Sequence, residues 1–461
     1  MIPVARPDEM RAIDAAAACS HDELVERAGA AVAHAALRML GGTYGRVVTV
    51  LAGPGSNGAD GRVAAGLLAA RGVRVTVVDI GRGCPGPSVV DIVSPSPVHL
   101  VIDAVYGTGF RDAWQPPEVG DVPVLAVDIP SGVDAVTGEV RGGALRATRT
   151  VTFAALKPGL LFGAGRGLCG EVEVVAASRI GLDRALVERA AVHAVEPGDA
   201  ARWMPVRPSD AHKWRTAVCV IAGSPGMPGA AALVSAAALR SGAGMVHVSS
   251  PHGLLAGLPT EVVQVETVGA SELRRFGALV VGPGLGRSEA TRRTVEEVLR
   301  GAAQSATPVV LDGDALWAVA NAAGPAPLGA HVVVTPHDGE FERLSGAPVG
   351  GDRLTAATAL AARLSCTVVL KGPATVIASP TGEALVSSSG DERLATAGTG
   401  DVLAGMVGAL LAAGAHPLHA SATAAWAHGA CGAFAPRHGM MASDLIGALP
   451  RVWDMLAGER R

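Results

Sequence analysis

The chain has 461 residues, 49% hydrophobic and 17% charged, with a formal net charge of −4 at pH 7. That much apolar material excludes an intrinsically disordered chain and is enough for two or three domains at roughly 150 residues each. No run of Lys or Arg forms a phosphate-backbone footprint, which excludes nucleic acid as an expected partner.

The six cysteines (Cys19, Cys84, Cys169, Cys219, Cys366, Cys431) are scattered and form no C-x-x-C pair. That speaks against a structural zinc site or a disulfide framework and fits a reducing compartment. The start, MIPVARPDEM, lacks the apolar core of a secretory signal, and the uncharged apolar run 402–415 is too short to cross a bilayer. A soluble, cytoplasmic protein without a membrane partner is expected.

In chain order, residues 8–40 are Ala-rich with apolar positions three and four apart, which predicts two helices broken near Ser20. Val-rich runs at 46–52, 73–79, 98–104, 123–129, 150–156 and 171–177 lack polar alternation, as strands buried on both faces do. With helix-like or Gly/Pro-rich segments between them, they predict a parallel sheet covered by helices. From 178 to about 210 the sequence turns charged and proline-containing, and reads as a linker. Beyond it, runs at 217–223, 245–250, 278–284, 308–314, 331–336 and 366–372 predict strands. Segments 229–244 and 401–414 predict helices, and 375–388 a hairpin turning on Pro-Thr-Gly. The expected fold class is α/β, with two different domains at 1–200 and 205–461.

The first strand runs into GPGSNGADG (53–61), whose glycines let backbone approach a ligand while the next helix points its N–H groups at any phosphate. Two later strands end in acids. Asp103 precedes Gly107-Thr108-Gly109, and Asp128 precedes Pro130, Ser131 and Gly132. Ligands in open parallel sheets sit beyond the carboxyl ends of the strands, so Asn57, Asp103, Asp128 and Ser131 should converge there. Their oxygens suit a hard cation, and a spare carboxylate suits proton transfer.

GPGSNGADG, DAVYGTG and VDIPSGVDAVTG, after MRAIDAA and LVERAGAAVA, resemble the NAD(P)H-hydrate epimerases across residues 8–177. The resemblance implies a Rossmann-like three-layer αβα domain that interconverts the R and S hydrates at C6 of a damaged nicotinamide cofactor. It implies potassium on Asn57, Asp103 and Ser131, and Asp128 as the proton-transfer group. It places the hydrate along Ser56, Asn57, Gly58, Ala59 and Asp60, along Gly107, Thr108, Gly109, Phe110 and Arg111, and at Asp128. The family loop usually reads N-N-G-G-D, so Ser56 and Ala59 depart from it. An alanine in place of a positive-φ glycine is expected to be strained.

The second half has no G-x-x-x-x-G-K-[ST], so a P-loop enzyme is excluded by pattern. Glycine loops and charged groups recur instead at strand ends: GSPGMPG, VVGPGLG, Asp312 and Asp314 in LDGDAL, His337 and Glu340 in TPHDGEFERL, and Lys371 in LKGPAT. Gly398-Thr399-Gly400 then precedes an apolar helix, whose unpaired N–H groups and dipole favour an anion. Asp401 in its first turn either complements the dipole or takes the proton of a hydroxyl attacking a phosphoryl group. Taken singly, His337 reads equally as a loop histidine and Lys371 as a snorkelling lysine.

HKWRTAVCVIAGSPGMPGAAALVSAAALRSGAGMV, GPGLG, TPHDGEF, LKGPATVIA and LATAGTGDVLAG resemble the ADP-dependent NAD(P)H-hydrate dehydratases of the ribokinase-like superfamily, over about 210–435. The resemblance implies a ribokinase-like αβα domain in which ADP phosphorylates the S-hydrate hydroxyl. Loss of that group returns NADH or NADPH and leaves AMP and phosphate. It makes Asp401 the base, lines the hydrate site with Ala230, Gly286, His337 and Asp401, and assigns Lys371, Gly372, Pro373, Ala374, Thr375 and Gly400 to the nucleotide. Magnesium is expected to shield the phosphates, and a homo-oligomer is expected. Trp214, Arg215 and Thr216 depart from the family's glycine-containing opening, and SGDERLATAG lacks a frequent asparagine. The alternatives are a ribokinase-type small-molecule kinase or a non-catalytic nucleotide-binding protein.

Overall fold

Ser20 divides the N-terminal helical stretch. Helix α1 spans Pro7–Ala15 and α2 spans His21–Leu40. Ser20 Oγ accepts from Glu23 N while the Glu23 carboxylate accepts from Ser20 N at 2.9 Å, a capping box that starts α2. The computed structural model describes residues 1–81, 97–266, 268–322 and 327–460, so Cys84 lies outside the described residues. The chain divides into two units, Ile2–Val192 and His193–Arg461.

The first unit holds a six-stranded sheet: β1 (Val47–Ala52), β2 (Arg74–Asp79), β3 (Leu100–Ala104), β4 (Val124–Val127), β5 (Arg149–Phe153) and β6 (Glu171–Val175). Their order is β2-β1-β3-β4-β5-β6, with every pairing parallel. β1, β3 and β4 are buried throughout, as their unbroken apolar runs predict. β2 differs: it is the edge strand, and its residues are exposed or half-buried. Helix α3 (Ser56–Ala69) follows β1 directly and packs with α2 on one core.

In the second unit, β7 (Ala217–Ile221), β8 (Met245–Ser249), β9 (Val263–Val265), β10 (Ala278–Val281), β11 (Val309–Leu311), β12 (Val332–Val334) and β13 (Thr367–Leu370) pair in parallel. The hairpin β14 (Thr375–Ala378) and β15 (Ala384–Ser387) adds two antiparallel strands beside β13. The strand order is β15-β14-β13-β12-β11-β10-β7-β8-β9. Most strands are a few residues shorter than the Val-rich runs that announced them. The run ends, such as Gly282 and Asp312, have already left the ladder to form loops at the sheet's carboxyl edge.

Helices α4 (Pro228–Arg240) and α9 (Thr399–Ala412) match the predicted helical segments. Between them lie α5 (Glu289–Ser305), α6 (Asp314–Ala320), α7 (Asp338–Ser345) and α8 (Arg353–Leu364), with α10 (Pro417–Cys431) and α11 (Ala442–Glu459) closing the chain. Residues Val402 to Ala412 of α9 are all buried, each large apolar side chain contributing roughly 1.5–3 kcal/mol. A β-carbon on Gly405 would fall 2.3 Å from Val234 O of α4, so glycine is what lets the helices approach. That packing holds the N-terminus of α9 over the sheet's carboxyl edge.

Candidate active sites

In the first unit a three-residue loop, Gly53 to Gly55, carries the chain from β1 into α3. Ser56 begins the helix, Gly55 caps it in extended conformation, and Ser56 to Asp60 form its first turns. Gly58 packs against the preceding loop, where a β-carbon would stand 1.9 Å from Gly53 O. Gly53, Gly55 and Gly58 have the spacing G-x-G-x-x-G, a phosphate-turn signal legible in the sequence. Ala59 is not strained: its φ is negative, and its N–H donates to Gly55 O at 3.1 Å as an ordinary helical residue.

Asp103 and Ser131 meet beyond β3 and β4. Ser131 Oγ donates to Asp103 Oδ1 at 2.6 Å, Ser131 N donates to Oδ2 at 2.9 Å, and Tyr106 N donates to Ser131 Oγ at 2.9 Å. Asp103 is fully buried, and burial pushes its carboxyl up against these donors. Asn57 is buried too, and its Nδ2 has no hydrogen-bond partner among the described residues. The Gly107 turn faces both Asn57 and Asp128: a β-carbon on Gly107 would come 3.3 Å from Asn57 Oδ1 and 3.0 Å from Asp128 Oδ2. Thr108 N donates to Asp128 Oδ2 at 3.2 Å. Phe110 stacks on Tyr106 at 4.3 Å, and Arg111 reaches Asp134 at 4.0 Å.

Two groups here were not singled out as site residues in the sequence. Lys157, 2% exposed, places Nζ 2.7 Å from Asp128 Oδ1. Asp14 of α1 and Asp60 couple to Asp128 through space; burial, then Asp128, then Asp14, push the Asp60 carboxyl up to about 8. Burial likewise raises Asp14, against the pull of Lys157. The sequence signal for Lys157 was a lone lysine ending an apolar strand; Asp14 lies in the MRAIDAA motif, which assigned it no role.

In the second unit, Asp312, Thr335, His337 and Lys371 follow β11, β12 and β13, three adjacent parallel strands, and so share one edge. Lys371 Nζ lies 2.8 Å from Asp312 Oδ1 and 3.7 Å from Glu340 Oε2. Thr335 Oγ1 donates to the same Asp312 oxygen at 2.7 Å. Burial works against the Lys371 charge, but Asp312, Glu340 and Asp401 outweigh it and raise its pKa. Asp401 stands in the first turn of α9 above this cluster. Burial, reinforced by Asp312 and opposed by Lys371, pushes its carboxyl up to about 7. A helix N-terminus ordinarily holds a first-turn acid low; at Asp401 burial and the neighbouring acids outweigh that effect.

His337 caps α7: Gly339 N donates to its Nδ1 at 3.1 Å, and Glu340 returns the box by accepting from His337 N at 2.9 Å. Gly286, with φ of +79°, donates its N–H to Asp314 Oδ2 at 2.8 Å, and Ala230 in the first turn of α4 sits against Gly284. Lys371 to Thr375 form the turn from β13 to β14, with Gly372 and Pro373 exposed and Ala374 buried. Arg353, which the sequence did not single out, braces this turn by donating to Lys371 O at 2.8 Å and by a paired contact with Asp338. Trp214 lies before β7, at the opposite edge of the sheet, packed on His247 and Phe276 under Arg275. That departure does not touch the Asp401 cluster. Among the described residues no three His, Cys, Asp or Glu cluster as a metal cage, and no helix is long and apolar enough to cross a membrane.

A helix N-terminus with an acid in its first turn, set over strand-end charged groups without a P-loop, defines a ribokinase-like phosphoryl-transfer unit, here joined to a second parallel α/β unit. The sequence model for NAD(P)H-hydrate dehydratase matches residues 218–451, and that for the YjeF-related protein N-terminus matches 21–92 and 84–159. The chain belongs to the family of bifunctional NAD(P)H-hydrate repair enzymes. The member from Mycobacterium tuberculosis is 38% identical, spanning 81% of this chain and 80% of that protein. The one from Moorella thermoacetica is 34% identical, spanning 93% and 92%. Among solved structures, the ADP/ATP-dependent NAD(P)H-hydrate dehydratase from Bacillus subtilis, co-crystallised with ATP and Mg2+, is similar at a TM-score of 0.50 and 33% identity. It covers 57% of this chain and 97% of its own. A ribokinase-like superfamily protein from Enterococcus faecalis gives 0.52 and 27%, covering 58% and 97%.

Proposed function

We propose that the chain repairs hydrated nicotinamide cofactors in two steps, one in each unit. The first unit, about residues 1–200, interconverts the R and S hydrates. The second, about 205–461, dehydrates the S form at the expense of ADP, giving NADH or NADPH, AMP and phosphate. The two steps complement each other, because a stereospecific dehydratase alone strands the other epimer. The observation that carries the second step is Asp401, raised to about 7 at the N-terminus of α9 beside Lys371, Asp312 and Glu340.

In the dehydratase unit Asp401 takes the hydroxyl proton as the phosphoryl group arrives, while the N–H groups at Gly400 and the Lys371 ammonium stabilise the charge on the transferring oxygens. The phosphorylated oxygen then leaves as phosphate, driven by the ring nitrogen. Lys371 to Thr375 hold the nucleotide, and Ala230, Gly286 and His337 line the hydrate. Magnesium, when bound, shields the phosphates; it keeps several waters, so a hydrated ion carried by the nucleotide needs no three-carboxylate cage.

In the epimerase unit the hydrate lies along Ser56 to Asp60 and the Gly107 loop, and Asp128 moves the proton. A potassium ion suits Asn57, Asp103 and Ser131. The donor set is all oxygen, and Asp103's fully buried carboxylate accepts from the neutral Val105 N, Ser131 N and Ser131 Oγ. When bound, potassium supplies a fixed positive charge to the loop. The chain is further assigned to the cytoplasm, where reduced nicotinamide cofactors turn over, and to a homo-oligomer, which light scattering tests.

Incubating racemic NADH hydrate with ADP or ATP tests the whole assignment. Full recovery of the reduced-nicotinamide absorbance is expected, with AMP formed from ADP. A stable phosphoester would instead identify a small-molecule kinase, and recovery that stops at half would remove the epimerase.

A further inference from the structure

Strands β4 and β5 end in the same unusual way. Asp128 follows β4 with φ of +69°, and Ala154 follows β5 with φ of +60°. Each centres a three-residue turn, closed by Ile129 N to Val127 O at 2.9 Å and by Ala155 N to Phe153 O at 2.7 Å. Turns of this kind with positive φ are strained for a residue bearing a β-carbon, and such strain persists where surrounding structure fixes it. Here the two turns are neighbours, because Val127 pairs with Val151.

Lys157 ties them together. Its ammonium donates to Thr152 Oγ1 at 2.9 Å, to Phe153 O at 3.0 Å and to Ala155 O at 3.2 Å, the last two being the carbonyls on either side of Ala154. The same ammonium lies 2.7 Å from Asp128 Oδ1, which also accepts from Thr152 Oγ1 at 3.2 Å. Oδ1 is therefore occupied from inside the fold. Oδ2 accepts from Thr108 N and faces the Gly107 turn.

We propose that Lys157 is a positioning residue for the epimerase: it anchors Asp128 Oδ1 and so presents Oδ2 to the hydrate. This rests on the assignment of Asp128 to proton transfer made above. A carboxylate free to rotate about its terminal torsion would share the proton-accepting direction between two oxygens, whereas a general base works from one hydrogen-bonding geometry. The strained turns are the cost of bringing the acid and the ammonium to one point.

The test uses the full chain with Asp128→Asn, Lys157→Met and the double variant; the dehydratase rate normalises each preparation, and the thermal unfolding of the first unit is the folding control. Lys157→Met is expected to lower epimerase kcat about 10- to 100-fold with KM nearly unchanged. The double variant should fall no further than Asp128→Asn alone, within about twofold, because Lys157 acts through that carboxylate. Lys157→Arg, which keeps the charge, should recover part of kcat. Losses that multiply in the double variant, or a rise in KM at unchanged kcat, would overturn the proposal. An active Asp128→Asn would remove the Asp128 assignment itself, whereas an inactive Asp128→Asn beside a fully active Lys157→Met removes only the role of Lys157. If Lys157→Met melts below the assay temperature, Lys157→Gln, which keeps a donor without the charge, is read by the same criteria.

Discussion

Gly400 and Lys371 stand face to face. A β-carbon on Gly400 would come 3.3 Å from the Lys371 ammonium and 3.9 Å from Asp312 Oδ2. Gly400 is helical, with no positive φ to protect, so its glycine is required by space and not by backbone conformation. Gly400→Ala is therefore expected to fold normally and to displace the Lys371 head group by a few tenths of an ångström or more. A full 1 Å misplacement costs about 100-fold in rate, and a smaller shift less. Dehydratase kcat/KM should drop by up to about 10-fold with the melting temperature preserved; an unimpaired variant would show that Lys371 does not set the nucleotide geometry.

Asp401 gives the pH dependence its sign. A base works only when ionised, and burial with Asp312 raises this carboxyl to about 7 while Lys371 pulls it down. Dehydratase kcat/KM should climb as pH rises through about 7 and level off above it. Asp401→Asn should cost about 10²- to 10⁴-fold and leave only a residual rate without that limb, with epimerisation intact. A wild-type rate flat from pH 5 to 9 would assign the base to another group.

Most of the frame was legible because parallel strands covered on both faces must be written as unbroken apolar runs, and RVVTVLA or AVCVIAG admit little else. The strand-end acids were legible for the same reason: Asp103 interrupts such a run one residue before β3 ends, and Asp128 and Asp312 interrupt theirs just past the ladder. What stayed hidden depends on distance across the sheet. Lys157 is 29 positions from Asp128, Arg353 is 18 from Lys371, and neither sits in a spaced motif. The edge exposure of β2 was hidden too, since Val75, Val77 and Val78 fall in a Val-rich run of the same kind as those of the buried strands.

Ala59 shows how a motif comparison misleads when the backbone is unknown. A second glycine in the family loop suggests positive φ, but here residue 59 is helical and bonded to Gly55 O. Ala59→Gly should therefore bring no gain in epimerase rate. It should destabilise the first unit by about 0.5–1 kcal/mol, the usual cost of glycine in a helix, measured by denaturant unfolding. A tenfold faster epimerase in this variant would show that the alanine does restrain the loop.

His428 supports the catalytic helix from below. It is buried in α10, and its Nε2 lies 2.9 Å from Thr399 O in the first turn of α9. A carbonyl only accepts, so the ring nitrogen donates. Burial depresses the imidazolium to about 4 although the Thr399 bond favours it. A histidine depressed from 6.5 stabilises the fold fully above that value, and the contribution is lost as pH falls toward 4. It amounts to about 3 kcal/mol. Asp401 runs the other way, its raised carboxyl favouring the fold at low pH and fading as pH passes about 7. The difference between wild type and His428→Gln is thus the quantity to read, since Asp401 is common to both. The wild-type thermal midpoint of the second unit should fall more steeply than that of the variant between pH 6.5 and 4, and the two slopes should agree above pH 7. Parallel slopes throughout would mean that His428 is hydrated in the native state and titrates normally.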